Sequence, residues 1–156
     1  MDNSGRNELQ GGTRVYVIGS LRNPIVSSFS NYLRVNGIPG VFDDWMAGGP
    51  QCDDEWKAYH LKRGDTFLQA LHGEMAKNIF RFDKEHLDRC SICVIVAPFG
   101  VSAPFELGYA KGRGCKTAML MLPEELDKDR WDVMYQFCDV ISADKEDILA
   151  FCKSNL

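Results

Sequence analysis

The chain has 156 residues, 45% of them apolar and 26% charged, with 18 Lys and Arg against 22 Asp and Glu and a formal charge of −4. These proportions fit one globular domain with a sizeable core and exclude a disordered, collagenous or coiled-coil chain. No apolar run reaches the roughly 18 residues of a spanning helix, the polar start lacks a secretion-signal pattern and Lys and Arg form no block, so a soluble, intracellular (cytoplasmic) protein binding neither membrane nor nucleic acid is expected.

Residues 1–12 are polar and Gly-rich and are expected to be loose, with a single domain from Thr13 onward. Arg14 to Ile18 is β-branched and aromatic and reads as a first strand, followed by Gly19-Ser20 and then Asn23-Pro24, which suits a helix start. Ile25, Phe29, Tyr32 and Leu33 keep helical spacing until Gly37. Ile38 to Trp45 reads as a second strand and Met46 to Asp54, with Gly48-Gly49-Pro50, as a loop. From Asp65 to Arg89, Leu68, Leu71, Met75, Ile79 and Leu87 describe one long amphipathic helix, and Asp83 interrupts its inner stripe four residues from each of Ile79 and Leu87. Ser91 to Ala97 is continuously apolar, the mark of a central parallel strand buried on both faces. A helix from Ala103 to about Gly112, a strand from Cys115 to Leu122, a partly helical stretch from Glu124 to Phe137, a short strand from Asp139 to Ser142 and a closing helix from Asp144 to Lys153 complete the chain. This alternation predicts a doubly wound α/β sandwich with a mainly parallel sheet of about five strands.

Six cysteines without a secretion signal read as reduced, buried or half-buried thiols. Cys90 and Cys93 form a C-x-x-C with no second ligand pair at zinc spacing, so no metal is expected.

Ligands of open α/β sheets bind beyond the carboxyl ends of the strands, where strand order reverses. Three loops therefore hold the candidate residues: Gly19, Ser20 and Arg22 after the first strand, Asp44 and Trp45 after the second, and Gly100 and Ser102 leading to Glu106 after the third. The first offers small residues, a hydroxyl and a guanidinium suited to an anion, although an ordinary βα turn has the same composition. Ser102 is the expected N-cap of the next helix, and the helix dipole favours an ionised Glu106 in its first turn by about 0.3–1 kcal/mol. Acids also gather at helix starts for stability alone. Asp83 lies on a helix that runs back toward the same sheet edge, and two acids in different surroundings can divide nucleophilic and acid/base work.

The segment Ser102-Ala-Pro-Phe-Glu-Leu-Gly-Tyr-Ala110, followed by Gly112-Arg-Gly-Cys-Lys116, resembles the E-L-G-x-A signature of the nucleoside 2-deoxyribosyltransferase superfamily. Asp83 precedes it at the expected distance, Tyr16-Val-Ile-Gly-Ser20 is similar to the family's first strand and loop, and the resemblance runs in order from about Arg14 to Met121. It implies a flavodoxin-like fold, Glu106 as the nucleophile attacking C1′ of a deoxyribose, Asp83 as the residue that assists or orients the departing base, and Tyr16 as a support for the nucleophile. No cofactor is implied. Such chemistry suits a carboxylate, because glycosidic cleavage builds positive character at C1′.

Gly19-Ser-Leu-Arg22 also resembles the G-S-x-R phosphate loop of the branch that hydrolyses deoxynucleoside 5′-monophosphates. Six residues before Glu106 that branch tends to carry Ser and the transferases Asp, whereas this chain has Gly100, with Ser102 as a possible substitute. The stretch Met46 to Gly64, with Asp53, Asp54, Trp56 and Tyr59, is longer than in the short hydrolases and is expected to shape the base pocket. The expected activity is hydrolysis of the N-glycosidic bond of a 2′-deoxynucleoside 5′-monophosphate or deoxynucleoside. The alternatives are base exchange by a deoxyribosyltransferase, a TIR-like NAD glycohydrolase, and a nucleotide-sensing domain without turnover. Family members complete their pockets with a neighbouring subunit, so a homodimer or higher homo-oligomer is implied, with Met134-Tyr135 or Asp139 as contact residues.

Overall fold

A computed structural model describes residues 12–126 and 132–156. The expected loose segment therefore lies, but for Gly12, outside the described residues, as do residues 127–131 of the stretch expected to be partly helical. The strands β1 (Val15–Ile18), β2 (Val41–Phe42), β3 (Ile92–Val96), β4 (Lys116–Leu120) and β5 (Val140–Ser142) form one sheet in the order β2-β1-β3-β4-β5. Every pairing is parallel. This is the flavodoxin-like doubly wound order, whose connections diverge between β1 and β3.

Side-chain parity assigns each strand residue to a layer. Val15 and Val17 of β1, with Ile92, Val94 and Val96 of β3, pack on Val26, Phe29 and Leu33 of helix α1 (Pro24–Val35) and on Ile148, Leu149 and Cys152 of helix α7 (Lys145–Ser154). Tyr16 and Ile18, with Cys93 and Ile95, point the other way, toward Leu87 of helix α4 (Glu74–Arg89) and Ala103, Leu107 and Ala110 of helix α5 (Ala103–Gly112). Both central strands are buried along their whole length, which accounts for the unbroken apolar run of β3.

Local signals fix the helix ends. Asn23 Oδ1 accepts from Ile25 N at 3.0 Å with Pro24 opening α1, and Gly37, at φ +87°, stops the chain from continuing it. The single helix expected over Asp65 to Arg89 is in fact two. Thr66 and Gln69 close a capping box that starts a short helix α3 (Phe67–Leu71), and the extended backbone of Gly73 separates it from α4. The second strand is shorter than expected, because Asp44–Met46 turn into a 3₁₀ segment, and the loop expected through Asp54 ends early in helix α2 (Cys52–Lys62). A short helix α6 (Pro123–Leu126) follows β4, and Val133–Phe137 form a 3₁₀ turn. Asp139 receives Lys111 Nζ at 2.5 Å and Thr117 N at 2.8 Å, so its carboxylate is engaged within its own chain, and Tyr135 packs on the α4/α5-side core.

The inner stripe expected along residues 68–87 is buried only at its end. Leu87 is 5% exposed, whereas Ile79 is 57% and Leu68 62% exposed. The amino-terminal half of α4 extends past the core, so its apolar periodicity marks a face that the described chain does not cover. Cys90, Cys93, Cys115 and Cys152 are buried free thiols, Cys52 and Cys138 are partly buried ones, and the Cys90 and Cys115 sulfurs lie 3.8 Å apart.

Gly19 is dictated by packing. A Cβ there would lie 2.4 Å from Cγ2 of Val26 and 3.3 Å from the carbonyl of Val96, and Val26 is a stiff, fully buried side chain. Gly19→Ala is expected to cost about 1–3 kcal/mol by overpacking, read from urea unfolding. An unchanged midpoint would show that α1 can retreat from the β1 terminus without loss.

Candidate active site

The loops that leave β1 and β3 enclose a cavity of about 830 Å³, within the size range of small-molecule sites. Its floor holds Glu106 and Asp83. Gly19, Ser20 and Arg22 form one wall, Gly100 and Ser102 a second, and Trp45 contributes from the β2 side. Of the ten residues expected at the site, eight thus line one cavity. Tyr16 lies fully buried beneath it on β1, and Asp44 is exposed and does not line it. Helix α2 adds Asp53, Glu55, Trp56 and Tyr59, and the uncovered half of α4 adds Met75 and Ile79, both read from periodicity alone as part of the inner stripe.

Each acid arrives by a different route. Ala103, Leu107 and Ala110 anchor one face of α5, and Glu106 lies beside that face, at the first turn. Asp83 falls on the Ile79–Leu87 stripe of α4 at the point where core gives way to cavity. Burial pushes the Glu106 carboxyl up to about 7, opposed by the Tyr16 phenol and reinforced by the nearby Asp83. Burial also raises Asp83 to about 6. Desolvation here outweighs the first-turn helix-dipole field that favours the ionised form. Tyr16 itself is held far above its ordinary value by burial and the adjacent Glu106, so it stays a neutral phenol. Among the described residues its hydroxyl meets no hydrogen-bond partner at full geometry, and neither does Asp83 Oδ1. Tyr16 Oη thus acts on Glu106 as a nearby dipole that opposes the rise of its carboxyl.

One expected role changes, and two residues gain partners. Ser102 has helical angles (φ −76°, ψ −36°) and makes no side-chain capping bond, since a cap reaches back only from an extended backbone. Its hydroxyl lines the cavity instead. Trp45 donates Nε1 to Val17 O at 2.7 Å, which fixes the indole against the end of β1. Arg22 is not unpartnered: its Nη2 meets Asp54 Oδ2 at 2.6 Å. A Cβ on Gly100 would meet nothing within 4 Å, so no packing constraint requires glycine there.

Among the described residues no cluster of three or more metal-ligating side chains occurs, and no helix is long and apolar enough to cross a membrane. No protein-family model matches the chain, and no curated protein matches it.

The two raised carboxyls make stability depend on pH. Both hold protons more tightly in the folded chain than in the unfolded one, where carboxyls titrate near about 4. Their contribution is complete below that value and is lost as pH rises through about 6 for Asp83 and about 7 for Glu106. Glu106→Gln cannot ionise, so its melting temperature relative to wild type is expected to rise between acid and alkaline solution by at least about 4 °C. A difference independent of pH, followed by circular dichroism, would show that Glu106 ionises at no cost to the fold.

Proposed function

We propose that the protein cleaves the N-glycosidic bond of a 2′-deoxynucleoside or its 5′-monophosphate, with Glu106 as nucleophile and water as the acceptor. The observation that carries this reading is the pair of raised carboxyls on one cavity floor above a neutral buried phenol. The ordered resemblance to the nucleoside 2-deoxyribosyltransferase superfamily supports it independently.

The residues suffice for a balanced double displacement. The Glu106 carboxylate attacks C1′; the C1′–N bond breaks, its electron pair passes to the base, and Asp83 delivers a proton to that base. Water then attacks C1′, the Asp83 carboxylate takes its proton, and the C1′–O bond to Glu106 breaks. The phenol of Tyr16 stabilises the departing carboxylate. Trp45, Trp56 and Tyr59 provide apolar rings for the base, and positive charge developing on the sugar is favoured by the acids around it. A second base in place of water turns the same steps into transfer, which is the alternative reading.

This chemistry needs one proton on the two acids together. The singly protonated pair is most populated between pH about 6 and about 7; its proton rests mostly on Glu106, and the reactive form is the minor tautomer with the proton on Asp83 and Glu106 ionised. With a panel of deoxynucleosides, their monophosphates and NAD, base release is expected from deoxynucleosides or monophosphates with a bell-shaped kcat/KM in that range. Glu106→Ala lowers it at least about a hundredfold, and Asp83→Asn slows poor leaving bases most and removes the alkaline limb. Near-normal turnover in Glu106→Ala, or release from NAD alone, would overturn the proposal.

We also infer that the chain acts as a homodimer through the uncovered face of α3 and α4, where Phe67 is 67%, Leu68 62% and Phe80 67% exposed. Large apolar side chains exposed on two neighbouring helices support an interface there. Sedimentation velocity at micromolar concentration is expected to give a dimer for wild type and a monomer for the double variant Phe67→Glu, Leu68→Glu. A monomeric wild type would exclude the dimer.

A further inference from the structure

The ion pair of Arg22 with Asp54 bears on which 5′ group the site accepts, given the glycosidase reading above. Arg22 is the one cation among the described residues lining the cavity, against Asp53, Glu55, Asp83 and Glu106. Its guanidinium is already held by Asp54 at 2.6 Å. Asp54 comes from the amino-terminal turn of α2, flanked by Asp53 and Glu55, so one acid sits on the anion-binding group of the β1 loop and two more stand beside it.

We infer that Asp54 is a specificity-determining residue that occupies Arg22 in place of a phosphate, so that the protein prefers free deoxynucleosides to their 5′-monophosphates. A phosphate dianion reaching Arg22 must displace one carboxylate and then remain among three, with like charges close together at the mouth of an already acidic cavity. An uncharged 5′-hydroxyl meets no such opposition. The discrimination comes from a repulsive element, the usual means by which a site rejects a ligand that would otherwise fit. Both partners are more than half exposed, at 57% and 60%, so the pair itself contributes only a severalfold effect, and Asp54 can be changed without loss of the fold.

The test compares kcat/KM for base release from the four natural deoxynucleosides and their 5′-monophosphates in wild type, Asp54→Asn, Asp54→Glu, Arg22→Ala and the double variant Arg22→Ala, Asp54→Asn. Wild type is expected to favour the nucleosides. Asp54→Asn raises the monophosphate-to-nucleoside ratio at least about fivefold, Asp54→Glu leaves it near wild type, and the rise shrinks or disappears in the Arg22→Ala background. A wild-type preference for monophosphates, an unchanged or lower ratio in Asp54→Asn, or an equal rise without Arg22 would overturn the inference. If no substrate releases base, the glycosidase reading fails on its own. Calorimetric binding of 2-deoxyribose 5-phosphate, tighter in Asp54→Asn than in wild type by the same factor, then still decides the role of Asp54, and equal binding would reject it.

Discussion

The pairing of β1 with β3, in the register that sets Tyr16 opposite Cys93 and Ile18 opposite Ile95, fixes almost everything else in the molecule. Both strands are buried on both faces, so neither can slip by one residue without exchanging its entire set of side chains between layers. That register sends Tyr16 toward α4 and α5 and aligns the carboxyl ends of two neighbouring strands whose onward connections part. The cavity is the space between those departing connections.

Putting carboxylates at this point works against the fold. The environment that lifts Glu106 and Asp83 is the same apolar layer that holds α4 and α5 on the sheet, and partial compensation comes from a phenol that is itself out of water. Such an arrangement is poor for stability and well suited to proton and electron-pair chemistry near neutral pH. The acids of α2 have a simpler origin, since Asp53, Asp54 and Glu55 lie in the first turn of their own helix, where negative charge is favoured. Proximity to Arg22 is what gives one of them a further role.

Legibility in the amino-acid sequence followed the range of the forces involved. The unbroken apolar run of β3, the Asn23-Pro24 start and Gly37 end of α1, and the bounds of α5 are local signals, and the structure reproduces them. Proximity of Asp83 to Glu106 was readable from stripe position and strand order together. Helix α2 was hidden because its apolar residues share no single face, and the break before α4 because Gly73 interrupts a pattern whose spacing survives it. Burial of Glu106 and the engagement of Arg22 were beyond sequence reasoning for a common reason. Each depends on an element distant in the chain, and helix position or loop composition carries no record of it.

Helix α4 joins two environments along a single stripe, with Leu87 in the packed layer, Asp83 at the boundary and Ile79 on the cavity. Its carboxyl half is secured by the same contacts that hold the sheet together, whereas its amino half borders the cavity and leaves Met75, Ile79 and Phe80 exposed. Opening free energy along one continuous helix is therefore graded, with amide protons near Glu74 exchanging through local fluctuations and those near Leu87 only when the sheet layer itself comes apart. Asp83 stands on that gradient. The half of α4 that borders the cavity can adjust to an occupant without loosening the half that keeps the protein folded.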